Sequence, residues 1–177
     1  MNNAIGVYTF QCFTHEQVKE INKKIKEFPL KKEEAQTTSS YKKGEFFAVQ
    51  CGPLMELLHP WLYKCQEVNN EFFGFDIYWQ FHLDSLNYNV YKTNDEYGWH
   101  MDASGNRLYD LKLTCLLNLS EEPYEGGEFY TIGDIENAKF DSGKGLIINS
   151  LMAHKVTPVT KGKRTTLTYW ARGSSWR

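Results

Sequence analysis

The sequence predicts a mainly β fold of the α+β type, two amphipathic helices supporting a barrel or sandwich of short strands. Helical periodicity is confined to residues before about 71. Beyond residue 76, apolar and polar side chains alternate in short runs broken by Gly, Pro and Asn turns. Aromatic residues make up 15% of the chain, a composition that favours strands. A length of 177 residues is enough for one domain, 1–177, with its own core. Helical support is expected over about 1–75 and the β core over about 76–172.

Residues 5–11 read as an opening strand. Thr14 and Gln17 then form a capping box, followed by Val18, Ile21, Ile25 and Phe28 at helical spacing, and Pro29 ends the helix. His15 lies in the first, polar turn and is expected in solvent. Residues 30–44 are charged and then Ser/Thr-rich with no apolar period, so they read as a loop. Leu54, Leu57, Leu58, Trp61, Leu62, Cys65 and Val68 define a second helix over about 53–71, which Pro60 should kink or split. His59 is expected to pack against that leucine-rich helix. Strands follow at 77–84, 86–91, 111–119, 128–132, 145–149, 153–157 and 164–171, with Pro123 and Gly126-Gly127 marking a turn.

The bulk numbers narrow the function. A net charge of −2 and the absence of basic blocks give no attraction for nucleic acid or an anionic membrane. No apolar run approaches the ~20 residues of a membrane span. Met1–Ile5 shows no secretory pattern. The four cysteines, Cys12, Cys51, Cys65 and Cys115, have no C-x-x-C spacing and read as reduced core thiols in a cytoplasmic protein.

One stretch stands out, Trp99-His100-Met101-Asp102. In a strand, residues i and i+2 share a face, so His100 and Asp102 aim an imidazole and a carboxylate at one point. A second imidazole, from His154, would complete two histidines and one carboxylate. That set caps one face of iron(II) and leaves the other open. His82-Leu83-Asp84 repeats the H-x-D pattern, but its even alternation is that of a structural strand. Arg164 heads the otherwise uncharged strand of 164–170, and a buried guanidinium is costly unless paired. A dicarboxylate would pair with it in bidentate fashion.

Four segments together carry a resemblance. They are Tyr91-x5-Tyr97-x2-His100-x-Asp102, Leu113–Ser120, Glu125-Gly126-Gly127-Glu128-Phe129 and His154–Arg164. This stretch, roughly 85–172, resembles the prolyl 4-hydroxylase branch of the 2-oxoglutarate- and iron(II)-dependent dioxygenases, and its last run resembles bacterial hydroxylases related to iron-uptake loci. The resemblance implies a double-stranded β-helix, a jelly roll of the cupin type, on N-terminal helices. It implies that His100, Asp102 and His154 bind iron, that Arg164 grips the distal carboxylate of 2-oxoglutarate, and that Tyr91 lines the co-substrate pocket. Thr114, Asn118 and Thr166 fall on the pocket side of their strands, as do Thr168 and Trp170. Asn94 stands where many relatives have Gly, and Asn118 where the oxygen-sensing enzymes place a second tyrosine.

The implied reaction is hydroxylation of a C–H bond with release of succinate and carbon dioxide, using iron(II), 2-oxoglutarate and oxygen, with ascorbate as a candidate reductant. No catalytic residue separate from the metal site is expected. Asp102 closes the position that a halide would need and so favours hydroxylation over halogenation. Peptidyl proline or a similar residue is the first substrate expected; a free amino acid or other small molecule comes next. A nucleic-acid demethylase of the same chemistry and a non-catalytic metal-binding jelly roll are the alternatives. The sequence does not give an oligomeric state.

Overall fold

The computed structural model describes residues 6–30, 42–81, 85–103, 110–133 and 140–176. Eleven strands are assigned among them: β1 Val7–Gln11, β2 Glu45–Gln50, β3 Ser85–Tyr91, β4 Tyr97–His100, β5 Leu111–Asn118, β6 Glu125–Gly126, β7 Phe129–Thr131, β8 Lys144–Asn149, β9 His154–Val156, β10 Val159–Lys161 and β11 Arg164–Arg172. The helices are α1 His15–Lys26 and α2 Met55–Val68. A six-stranded antiparallel sheet has the order β1-β8-β5-β11-β3-β2, and a three-stranded sheet has the order β4-β9-β7. One cavity takes its walls from both sheets, with His100 and His154 from the small one and Thr114, Arg164, Thr166 and Trp170 from the large one. This is the helix-supported jelly roll that the sequence led us to expect.

The helices cover the outer face of the large sheet. Thr14 caps α1 as expected, its hydroxyl accepting from Gln17 N while Gln17 Oε1 accepts from Thr14 N. Val18, Ile21 and Ile25 turn inward and join Leu58, Trp61 and Leu62 of α2 in one core with Leu113, Cys115, Leu117, Leu167 and Tyr169 of the sheet. Asn22 pins α1 to that sheet, donating to Leu119 O at 2.7 Å and accepting from Tyr88 Oη at 2.9 Å. It is 1% exposed, so both bonds are shielded from water.

The structure departs from the sequence reading in several places, among them the short pair of β6 and β10, where a turn and no strand were expected. Residues 77–81 alternate in burial, but Ile77 makes only an isolated bridge with Gly173 and no strand forms there. The alternation is real because Phe81 packs edge-on against Tyr169, while the backbone meets β11 at its end, where Tyr78 N donates to Arg172 O at 2.7 Å, without extending into a ladder. Residues 82–84, with the second H-x-D, lie outside the described residues. Glu45–Gln50 forms β2, which pairs with β3 along its whole length and which the charged segment before it concealed. Pro60 is accommodated inside α2 without splitting it, and the helix ends in a wider turn, Asn69–Phe73, closed by Gly74 at φ 66°. His59 is exposed and stacks on Tyr63 at 6.0 Å instead of packing inward.

Asn94, where Gly was the expectation, adopts φ 72°. Asn tolerates the left-handed region better than other side chains, so the turn after Tyr91 keeps its shape. Among the described residues, no helix is long and apolar enough to cross a membrane.

Asn22→Ala would leave the Leu119 carbonyl buried without its partner and remove one of the bonds of the Tyr88 hydroxyl. Urea unfolding should show a loss of about 1–3 kcal/mol.

Candidate active site

The site begins with an irregularity in β4. Between Tyr97 and His100 this strand holds one more residue than β9 holds between their partners, Val156 and His154. Such a bulge re-aims side chains. It brings residues 97 and 100 to the same side, although a regular strand would send them to opposite faces. The Tyr97 ring accordingly stacks on His100 at 3.5 Å, and His100 stands directly opposite His154 across the ladder, their rings 4.1 Å apart.

Asp102 reaches the same point by a different route. The strand ends at His100, and Asp102 lies in the following bend. The bend is tied down by Ala103 N, which donates to Ser150 O at 3.0 Å. Asp102 Oδ1 lies 3.6 Å from His100 Nε2, and Oδ2 lies 3.6 Å from His154 Nε2. Thr114 Oγ1, from the large sheet, donates to Oδ2 at 2.6 Å. Among the described residues, this is the one group of three His, Cys, Asp or Glu side chains whose donor atoms converge, all within 4.8 Å of one another.

Each imidazole has its outer nitrogen fixed. His100 Nδ1 is 2.8 Å from Gly98 O, and His154 Nδ1 is 2.9 Å from Met152 O. A carbonyl only accepts, so each bond assigns the proton to Nδ1 and leaves a lone pair on Nε2, facing the centre. Burial, and next the neighbouring His154, push His100 down to about 4, so its ring is neutral at pH 7. Two neutral imidazoles and a carboxylate are the donors that an octahedral iron(II) site takes.

Arg164 is the other side chain that the sequence singled out. It opens β11 opposite Tyr91 and is 2% exposed. Its guanidinium carbon lies 5.4 Å from the Tyr91 ring centre and 5.6 Å from that of Phe140. Its Nε has no hydrogen-bond partner, and among the described residues no carboxylate lies within ion-pair distance. Such a cation is costly to bury and calls for an anion. Gly127, at φ +64°, makes the room: a Cβ there would meet Arg164 Cδ at 2.9 Å.

The remaining expected residues divide. Tyr91 and Thr166 line the cavity, as do Thr168 and Trp170. Thr114 also lines it, but its hydroxyl is committed to Asp102. Asn118 stands one layer behind: its amide donates to Tyr124 Oη at 3.0 Å and to Phe140 O, and its oxygen accepts from Ser120 N. It braces the segment whose Phe140 ring covers Arg164. Lys42, Asn89, Phe129 and Phe140 were missed as site residues, and only tertiary packing brings them in. A larger open hollow, about 430 Å3, lies on the other side of Phe129 and Phe140 and does not include the His–Asp–His cluster.

With the geometry established, residues 86–172 match the 2OG-Fe(II) oxygenase superfamily. A PKHD-type hydroxylase of Alteromonas mediterranea is 35% identical over 94 residues, 47% of this chain and 41% of that protein. This match therefore spans well under half of the relative's length. Among solved structures, a Pseudomonas putida prolyl-4-hydroxylase is similar at TM-score 0.72 and 16% identity, covering 98% of this chain and 96% of that one. A Trichoplax adhaerens prolyl hydroxylase in complex with a hypoxia inducible factor peptide fragment gives 0.71 and 16%, covering 96% and 84%. At these identities the structural likeness bears on the fold.

Thr114→Val keeps the shape of the side chain and removes the bond to Asp102. Titration with cobalt(II) should show metal affinity about 10–100-fold weaker, with the circular dichroism unchanged.

Proposed function

We propose that this chain, which belongs to the 2OG-Fe(II) oxygenase superfamily through residues 86–172, is an iron(II)- and 2-oxoglutarate-dependent hydroxylase. The observation that carries the reading is a His–Asp–His cluster sharing one cavity with a buried arginine that no described carboxylate neutralises. His100, Asp102 and His154 would hold the iron, and Arg164 the distal carboxylate of 2-oxoglutarate. Once bound, iron and co-substrate together supply, from oxygen, the power to oxidise an unreactive C–H bond, with release of succinate and carbon dioxide.

The chain's own residues prepare the site. The Gly98 and Met152 carbonyls hold both Nε2 lone pairs inward. Thr114 fixes the carboxylate between the two imidazoles. Tyr91 and Phe140 flank the guanidinium and keep water from it, which strengthens its attraction for an anion. The Tyr91 phenol is pushed up to about 12 by burial, so it stays neutral and able to donate. The cavity is small, about 40 Å3.

Peptidyl proline or a similar residue is the first substrate proposed, supported by the resemblance to prolyl hydroxylases. A free amino acid or other small molecule is the second. A nucleic-acid demethylase is disfavoured: Arg172, the next arginine on β11, is held at the surface by Asp110 at 3.1 Å, and a net charge of −2 offers no attraction for phosphate. The four unbridged thiols support a reducing, cytoplasmic setting, in which ascorbate is a reductant to try.

Succinate release measured with and without iron(II) and 2-oxoglutarate tests the reading. It should require both and fall to background in His154→Ala. Arg164→Ala should weaken 2-oxoglutarate binding by about 2–5 kcal/mol, the cost of losing one partner of a buried charge pair. Wild-type turnover in both variants would sink the assignment.

A further inference from the structure

The cavity contains a second cation that the reaction described above does not use. Lys42 lines it with Asn89, Tyr97, Thr168 and Trp170. Its Nζ lies 3.2 Å from Asn89 Oδ1, 4.4 Å from the Phe46 ring centre and 4.8 Å from that of Tyr97. Tyr97 in turn stacks on His100 at 3.5 Å, so one ring separates the ammonium from a metal ligand.

Lys42 is held there deliberately. The Asn89 amide donates to Asn87 O and to Thr168 Oγ1, at 3.1 Å each, which turns Oδ1 toward the ammonium. Its neighbour Lys43 makes an ion pair with Glu96 at 2.8 Å on the surface. Lys42 has no such pair among the described residues; its hydrogen bond is to a neutral amide oxygen. An ammonium has three donors and is costly to desolvate without an anion. Burial pulls Lys42 down to about 8, against the opposing pull of Asp102.

Charge balance names the missing partner. The titratable groups lining the cavity are Lys42, Tyr91, Tyr97, His100, Asp102, His154 and Arg164. Burial raises both tyrosines, which stay neutral. Asp102 offsets half of an iron(II) charge, and the 2-oxoglutarate dianion offsets the other half together with Arg164. The charge of Lys42 is then left over. We propose that Lys42 is a substrate-positioning residue whose ammonium holds a carboxylate of the primary substrate beside the metal face. The oxidised C–H bond then lies near that carboxylate, which is either the α-carboxylate of a free amino acid or an acidic side chain of a peptide. This inference rests on the hydroxylase reading above.

The test needs no turnover. Protein is loaded with manganese(II) and 2-oxoglutarate without oxygen, after calorimetry has checked that 2-oxoglutarate binds. The free amino acids form one arm and Asp- or Glu-containing tripeptides with blocked ends the other. Each is compared with its carboxamide by the paramagnetic line broadening of its protons. The expected result is that carboxylates in one arm bind about tenfold or more tighter than their amides, the scale of one charge-assisted bond. Lys42→Gln should abolish that preference, Lys42→Arg should keep it, and the surface variant Lys43→Gln should match wild type. No preference in wild type, or a preference that survives Lys42→Gln, overturns the proposal. Failure of 2-oxoglutarate to bind at all overturns the hydroxylase reading and this inference with it, and is told apart by the calorimetry.

Discussion

The cross-strand pairing of His100 with His154 is the constraint on which the rest of the structure depends. Directly opposed residues in an antiparallel ladder are about 4.5–5.5 Å apart, close enough for two imidazoles to share one ion. The bulge in β4 sets which residue stands opposite His154. A slip by one residue would put Trp99 or Met101 there, and both are exposed. The carboxylate is then supplied by a bend and locked by Thr114 from the opposing sheet. The small sheet provides the imidazoles and the large sheet orients the carboxylate, so the gap between the sheets belongs to the site as much as any ligand does.

Burying cations is the second commitment of this fold. Arg164, at 2% exposure, is among the largest fully buried side chains. Aromatic faces and a glycine make space for it without supplying the opposite charge. A carboxylate built into the chain would be more stabilising, and it would also fill the position a ligand takes. That unmet charge is the observation on which the proposed anion site rests. The same argument applies to Asn22, where the outcome differs because nothing is meant to bind: each polar atom of its side chain is satisfied internally, and the contact serves only to seat α1.

Much of this was legible in the sequence, for reasons that differ by residue. The capping box at Thr14 and the strands β3, β5, β7, β8, β9 and β11 follow from local rules and formed where expected, while the short pair β6 and β10 was not read from the sequence. His100 and Asp102 were found through strand parity, yet the structure reaches the convergence by another route, a bulge before His100 and a bend after it. The spacing was informative although the geometry assumed for it was not the one adopted. Arg164 was legible because a lone charge heading an apolar strand demands an explanation. Lys42 was not, because it follows a run of charged and polar residues that reads as solvated surface. Its neighbours Phe46, Asn89 and Tyr97 come from three separate strands, and no local pattern connects them. Ile77–Phe81 shows the converse failure: alternating burial was present and was mistaken for a strand, since periodicity reports burial and not hydrogen bonding.

The bulge also decides what the other face of the small sheet carries. By turning His100 inward it leaves Trp99 and Met101 facing solvent, at 52% and 43% exposure. Leu151 and Ile132, near the two ends of the turn that leads into His154, are exposed as well. Lys155, next to His154, lies over the Trp99 and Tyr130 rings at 5.0 and 5.3 Å. His154 and Val156 line the cavity, so Lys155 between them points away from it, and this cluster lies on the outer face of the small sheet. The strand irregularity that turns His100 toward His154 on one face therefore sets an apolar surface with a cationic edge on the other.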